Sequence, residues 1–328
     1  MTEGDRLDAL GTEQARPELA DLDLRPTLEL VRLMNAEDAG VAGAVAAAAP
    51  AVAAAVDAVT ARLAAGGRLI YPGAGSAGRI AALDAAECAP TFGVDAGLVV
   101  ACVAGAPSLG AASEATEAAE DDAAAACADL RAVDLTSADA LVGVSASGRT
   151  PYVLGGVELA RSVGCLTVGV SSNPGTDLSR AVDHAIEVLT GPEIIAGSTR
   201  LKAGTAQKLV VNTISTLVMV RLGHTYGNHM VGVRTDNEKL RRRALRVLVE
   251  AAGVSEAAAR EAVDAADGQT RVALVMLLTG CSAEDARARL SAARGRARQA
   301  LDQNPPPNPP PNPPPNPPRH PPRHPPRS

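Results

Sequence analysis

The stretch Arg68–Cys88, RLIYPGAGSAGRIAALDAAEC, restricts the fold more than any other part of the chain. An apolar run, Leu69–Tyr71, breaks at Pro72 into a glycine turn spanning Gly73–Gly78, and alanine-rich helical sequence follows with Glu87 closing its far end. Glycines tolerate positive φ and let a ligand approach the backbone, while the free amides at a helix start favour a negative charge there. A strand, an anion-ready loop, a helix and a carboxylate follow one another, and a phosphate is the expected guest.

The spacing Gly73-x-Gly75-x-x-Gly78 also satisfies the dinucleotide fingerprint, which needs an acidic residue about 20 residues on, at the end of the next strand. That strand, 97–103, runs into Ala104-Gly-Ala-Pro-Ser with no Asp or Glu at its end. No Gly-Lys-Ser/Thr closes the turn, so the ATP-type loop fails as well. A smaller phosphorylated ligand remains, beside the alternative of a glycine turn that serves only tight strand–helix packing.

The rest of the chain alternates short β-branched runs with helices. Helical sequence begins at Arg25–Asn35 and continues as a second run from Glu37 to the stop Gly66-Gly67, so long helices precede the first strand. A helix from about 111 to 128 follows the strand at 97–103. A strand at 140–144 then breaks into Ser145-Ala-Ser-Gly-Arg-Thr-Pro151 before a helix over 152–163, and further strands are read at 166–170 and 184–189. This alternation predicts an α/β fold, a three-layer parallel sheet covered on both faces, with ligands beyond the carboxyl ends of its strands. A long helix over 201–222 closes the sheet region. Everything from about Asp236 to Leu301 reads helical, as runs over 239–252, 255–266, 270–278 and 283–301. From Asn304 the chain is Asn-Pro-Pro-Pro repeats and then Arg-His-Pro-Pro, holding 15 of its 24 prolines. Such a segment lacks amide donors and apolar side chains and is expected to be disordered. The implied division is an N-terminal helical segment (1–66), a sheet domain (67–235), a C-terminal helical domain (236–302) and the tail (303–328).

Composition excludes several classes. The aromatics are only Tyr71, Phe92, Tyr152 and Tyr226, so the core must be built from Ala, Val, Leu and Ile. A net charge of −6 without a clustered basic patch argues against nucleic acid as a partner. The five cysteines are scattered and never in C-x-x-C spacing, which indicates neither a disulfide framework nor a metal site. The acidic, polar start carries no signal pattern and no uninterrupted lipid-spanning run occurs later, so a cytoplasmic protein with no membrane partner is expected.

Two Ser/Gly loops at strand ends supply amides together with the hydroxyls of Ser76, Ser145, Ser147 and Thr150, enough to cradle a phosphomonoester without a metal. Carboxylates near them are candidates for proton transfer. Glu87 sits in apolar sequence, Ala85-Ala-Glu-Cys-Ala-Pro90, where desolvation would raise its pKa and suit a general acid. Glu120, in Glu117-Ala-Ala-Glu-Asp-Asp122, reads on its own as part of a solvated helix face. Glu193 follows Gly-Pro before the long helix and is another possible base. His224 and His229 flank a turn and could reach a site, and His184 opens an apolar strand as a structural residue.

The segments GAGSAGR (73–79), LDAAECAPTFGV (83–94), SASGRTPYV (145–153), SSNPG (171–175), GSTRLKAGTAQKL (197–209) and NEKL (237–240) resemble those of the N-acetylmuramic acid 6-phosphate etherases, within the sugar isomerase (SIS) fold family. The resemblance runs from about Thr12 to Leu301. It implies a SIS fold with N-terminal helices and a small C-terminal helical domain, and a lyase without metal or cofactor that cleaves the D-lactyl ether of an amino sugar phosphate in cell-wall recycling. It places Glu87 at the proton-donor position and Glu120 at the second acid/base position. Gly75, Ser76, Ser145, Ser147, Gly148 and Thr150 fall in the phosphate loops, and Ser198, Arg200 and Lys202 in the motif before the long helix. Sites of this kind are completed across a dimer, so a homodimer is implied. The chain departs from the family pattern at Ala77, Ala89, Gly232 and Asp236, lacks the usual Ser before Thr27-Leu-Glu29, and has about two extra residues between Glu87 and Glu120, which bears on affinity and rate more than on identity. A phosphosugar-sensing regulator resembling glucokinase regulatory protein, and a sugar-phosphate isomerase with Glu193 as base, are the competing readings.

Overall fold

The short apolar runs become strands buried on both faces, the pattern a parallel sheet requires. The computed structural model describes residues 10–105, 119–232 and 238–302. In it β1 (Leu69–Gly73), β2 (Val99–Val103), β3 (Ala140–Val144), β4 (Leu166–Ser171) and β5 (His184–Glu187) form one sheet, ordered β2-β1-β3-β4-β5 and parallel throughout. Alternate side chains serve the two faces: Leu69, Tyr71, Val142 and Val168 enter one apolar cluster, Ile70 and Leu141 the other. The first cluster is closed by α2 (Val41–Ala47), α3 (Ala49–Ala64), α4 (Gly75–Phe92) and α8 (Lys202–Arg221), the second by α5 (Ala123–Ala132), α6 (Pro151–Ser162) and α7 (Asp177–Ala181). This is the three-layer α/β architecture expected, with α1 (Thr27–Ala39) leading into it.

Several boundaries differ from the sequence reading, each for a local reason. The run from Glu37 to Ala65 is not one helix: α1 ends at Ala39, and α2 stops at Ala47 because Pro50 cannot donate an amide and would clash one turn back, so a new helix starts with that proline in its first turn. Strand β1 does not break at Pro72 but continues to Gly73, unbroken against β2, while its pairing with β3 skips Tyr71 and Pro72. Helix α4 starts at Gly75, so four residues of the expected six-residue turn are helical. Gly73 and Gly78 permit this: a Cβ on Gly73 would lie 2.7 Å from the Gly78 Cα. At its other end α4 runs past Glu87 to Phe92 and stops at Gly93, whose φ of 61° suits a left-handed cap. Of the helix read over 111–128, residues up to 118 lie outside the described part. Ala119–Asp121 form a 3₁₀ turn, and Asp122 then caps α5 by accepting from the Ala125 amide at 2.9 Å.

The C-terminal helices enclose an apolar cluster of their own, including Leu248, Val263, Leu274 and Leu301. They are α9 (Glu238–Ala252), α10 (Glu256–Ala265), α11 (Thr270–Thr279), α12 (Ala283–Ala292) and α13 (Ala297–Leu301). The single run read over 283–301 is divided because Arg294 and Gly295 both take positive φ. A two-residue hairpin, β6 (Thr225–Tyr226) with β7 (His229–Met230), precedes them. Arg271 at the start of α11 ties these helices back to the sheet region: its Nη1 donates to the Gly295 carbonyl and its Nη2 contacts His224 Nδ1 at 3.0 Å. Burial, with the neighbouring Arg271 charge, pushes His224 down to about 4. The proline-rich tail lies outside the described residues. Among those residues no single helix is long and apolar enough to cross a membrane; the pair Thr27–Ala47 and Ala49–Ala64 reaches that length only together, bent by 58°.

Candidate active site

Chain order fixes where a ligand can sit. From β1 the chain crosses to β2 on one side, then returns to β3 on the other, so the sheet order reverses between β1 and β3. Loops leaving the carboxyl ends of those two strands splay apart and open a crevice. The two Ser/Gly loops are these two.

The first loop is short. Gly73 and Ala74 lead directly into α4, whose first turn holds Gly75, Ser76 and Ala77, and the amides of a first helical turn have no intrahelical acceptor. The Ser76 hydroxyl is contacted by the Arg79 guanidinium at 3.4 Å.

The second loop is held by its own hydroxyls. Ser145 Oγ accepts from the Gly148 amide at 3.0 Å, lies 3.3 Å from Ser147 Oγ and meets Thr150 Oγ1 at 2.8 Å. Gly148 has a φ of 66°, and a Cβ there would lie 2.4 Å from Thr176 side-chain atoms, so only glycine closes this turn. Thr150 precedes α6 but gives no side-chain cap, because its hydroxyl is engaged elsewhere. It donates to Glu120 Oε1 at 2.9 Å.

Glu120 is therefore not on a solvated helix face. The 3₁₀ turn that carries it brings the half-buried carboxylate over the crevice, where its Oε2 lies 3.8 Å from the position a Cβ on Gly75 would occupy. One carboxylate thus lies between the two loops, bonded to the second and beside the first. With Thr150 donating to Glu120, the Ser145 hydroxyl donates to Thr150, and the chain of hydroxyls orients the carboxylate. A base held this way next to an anion cradle can take a proton from a carbon of the ligand whose phosphate the cradle holds.

The remaining predicted residues are placed differently. Glu87 is exposed, so the expected desolvation is absent in this chain: α4 turns its apolar strip inward at Ala81 and Cys88 and leaves Glu87 on the outer strip. Glu87 follows Ser76 by eleven residues on one face of α4, roughly 16 Å along the helix axis. Ser198 is half-buried, Arg200 is exposed, and neither side chain bonds another described residue. Lys202 is buried and donates to Glu37 Oε2 at 2.6 Å, and Glu37 also accepts from Arg16 Nη1 at 2.5 Å. Burial opposes the charge of Glu37, yet the two cationic donors hold its carboxyl below the usual range. Glu193 is 1% exposed and accepts from the amides of Lys202 at 3.1 Å and Ala203 at 2.9 Å, capping α8.

Two supporting residues escaped the sequence reading. Asn173 donates from Nδ2 to the Ala146 carbonyl and to Thr12 Oγ1, each at 3.0 Å, and its Oδ1 accepts from the Thr12 amide, so the N-terminal segment braces the second loop. The SSNPG segment was the one available signal for Asn173; Thr12 had none. The cysteines are unpaired. Burial raises Cys88 and Cys165 to about 12 and Cys102 to about 11, as inert core thiols require.

A parallel sheet whose order reverses between two Ser/Gly loops is the architecture of the SIS domains. Residues 51–161 match the family model for the glucokinase regulatory protein N-terminal SIS domain. Across nearly the whole chain the similarity is to N-acetylmuramic acid 6-phosphate etherases: 52% identity to that of Streptomyces avermitilis, covering 91% of this chain and 96% of that one. The Rubrobacter xylanophilus etherase is 55% identical (91% and 98% covered) and the Geobacillus thermodenitrificans etherase 47% identical (90% and 100%). The chain belongs to the N-acetylmuramic acid 6-phosphate etherase family.

Proposed function

We propose that this chain is a carbon–oxygen lyase that cleaves the D-lactyl ether of N-acetylmuramic acid 6-phosphate, giving N-acetylglucosamine 6-phosphate and D-lactate. The 6-phosphate lies in the cradle of Gly75, Ser76, Ser145, Ser147, Gly148 and Thr150. In the open-chain sugar the C2 proton is α to the C1 aldehyde and therefore acidic. Glu120 takes that proton, the C3–O bond breaks with its electron pair leaving on the lactyl oxygen, and Glu87 protonates that oxygen. Water then adds across the 2,3-double bond, hydroxyl to C3 and proton to C2, which restores both carboxyl groups. The observation that carries this reading is Glu120 hydrogen-bonded to the cradle through Thr150.

Glu87 takes part from a second copy of the chain. Its separation from Ser76, roughly 16 Å along α4, suits delivery to a neighbouring chain's substrate better than to its own. The outer face of α4 and α8 leaves Leu83, Leu209, Leu217 and Val220 39–44% exposed, an apolar patch around Glu87 that a homodimer would cover. Ser198, Arg200 and Lys202 enter this reading through the family motif before α8, Lys202 being held by Glu37. A cytoplasmic location fits a catabolic enzyme with unpaired cysteines.

The family match over residues 51–161 keeps a non-catalytic sensor as the second reading, since a sensor needs the cradle but not Glu120. An isomerase that uses Glu193 is disfavoured because both its oxygens are occupied by backbone amides. Incubation of the purified chain with N-acetylmuramic acid 6-phosphate should release D-lactate in stoichiometric amounts. Binding of the sugar phosphate without lactate release would refute the lyase reading and leave the sensor.

A further inference from the structure

Three residues before Glu87, on the adjoining inner strip of α4, lies a carboxylate for which the mechanism above has no use. Asp84 is 3% exposed. Its Oδ1 accepts from Asn212 Nδ2 at 2.6 Å and from Ser215 Oγ at 3.0 Å, both on α8, and its Oδ2 accepts from the Tyr71 hydroxyl on β1 at 3.0 Å. Three donors converging on two oxygens is the arrangement that holds an ionised carboxylate. An apolar residue would fill this space at less cost, because a buried charge loses its hydration and is repaid only when every lone pair is engaged.

The network joins β1, α4 and α8 at one point, which sets the rotation of α4 about its axis and turns the strip carrying Ser76, Leu83 and Glu87 outward. Glu87 lies one helical turn on, where side chains three apart are neighbours, about 5–6 Å between Cβ atoms.

We infer that Asp84 is a positioning residue of the lyase reaction: through its network it fixes the orientation of Glu87. This rests on the assignment of Glu87 as the proton donor. Among the described residues, Tyr71, Cys88 and Lys208 border the network. Tyr71 is held neutral, its hydroxyl pushed well above the usual value by burial and by Asp84. The Cys88 thiol is raised to about 12 by burial and by Asp84. Lys208 on α8 donates to Asn212 Oδ1 at 2.8 Å and so supports the donor that faces Asp84. Burial raises Asp84 itself while its three donors oppose the rise.

Asp84→Asn conserves shape and removes the charge. Its NH₂ faces donors that need an acceptor, so the network loosens, and kcat should fall at least fivefold with KM within twofold. A double variant, Asn212→Ala with Ser215→Ala, keeps the charge and strips the orienting donors; kcat should fall at least fivefold with KM within twofold, since the cradle lies at the other end of α4. If Asp84→Asn fails to fold, the double variant decides alone. Unchanged kcat in Asp84→Asn or in the double variant overturns the inference. Glu87→Gln is run beside them: lost turnover there with unchanged kcat in the other variants removes Asp84 only, whereas full turnover in Glu87→Gln removes the assignment of Glu87 and the role of Asp84 with it.

Discussion

Glu193 gives the sharpest test of what a buried carboxylate near this site is for. Its side chain is 1% exposed and both oxygens receive amides from the first turn of α8, a helix of 20 residues. Replacing it with Ala strands two buried N–H donors, each costing about 1–3 kcal/mol when left without a partner. It also removes a negative charge from the positive end of a long helix, about 0.3–2 kcal/mol. With some water entering the vacated space, the sum is roughly 3–5 kcal/mol, which for a chain of this size lowers Tm by about 5 °C or more. Glu193→Gln keeps one acceptor oxygen but turns its NH₂ towards the other amide, so it should lose roughly half as much. Thermal unfolding followed by circular dichroism reads both variants. Lactate release below their Tm should stay within about threefold of the parent chain, because neither oxygen is free to touch substrate. A Glu193→Ala protein that melts normally yet has lost about a thousandfold in turnover would show that Glu193 acts in the chemistry and that the capping account is wrong.

Glu120→Gln should bind sugar phosphate within a few-fold of the parent while turnover falls about 10²–10⁴-fold, measured by calorimetry and lactate release; unimpaired turnover would remove Glu120 as base. Gly148→Ala must adopt φ of 66° with its Cβ against Thr176, so a loss of about 2–4 kcal/mol in urea unfolding is expected, together with weakened phosphate binding. His224 has its folded-state pKa depressed to about 4, against about 6.5 unfolded, so the folded protein binds fewer protons in that window. The stability this provides is complete above pH 6.5 and is lost as pH falls towards 4, on the order of 2 kcal/mol between pH 7 and 5. His224→Asn should be flatter over that range in urea titrations; equal slopes would sink the argument.

The layered fold was readable because the strands are buried on both faces and announce themselves as continuous apolar runs between glycine turns, Leu69–Tyr71 and Ala140–Val144 being the plainest. Both cradle loops were readable for the same reason, since each interrupts such a run with glycine and hydroxyl residues. Helix boundaries were less so. Pro50 and the pair Arg294–Gly295 each end a helix through backbone geometry that alanine-rich periodicity conceals. Glu120 was misread locally because a carboxylate run looks solvated whatever it faces. The Asp122 cap before the alanines of α5 is the signal that the helix starts later and that Glu120 belongs to the turn before it. Glu193 was open to two readings because a carboxylate before a helix serves equally as base or cap; burial and two amide donors distinguish them. Contacts such as Thr12 with Asn173, separated by 161 residues, leave no local trace at all.

Glu87 shows where periodicity informs and where it misleads. Its spacing from Ser76 puts both on one face of α4, but the rise of the helix separates them by roughly 16 Å, and sharing a face does not bring two groups to one substrate. If the second chain supplies Glu87, each defective chain can repair the other. A Glu87→Gln chain still carries Glu120 beside its cradle, and a Glu120→Gln chain still carries Glu87 on its outer face. Unfolded together in equal amounts and refolded, half of the dimers would be mixed, and each mixed dimer would hold one intact site of two, restoring about a quarter of the parent activity in a two-fold symmetric dimer. The separate variants should stay inactive under the same treatment. If both carboxylates act within one chain, every chain in the mixture lacks one of them and no activity returns. Absence of recovery, with dimers present by light scattering, would therefore reject the shared site.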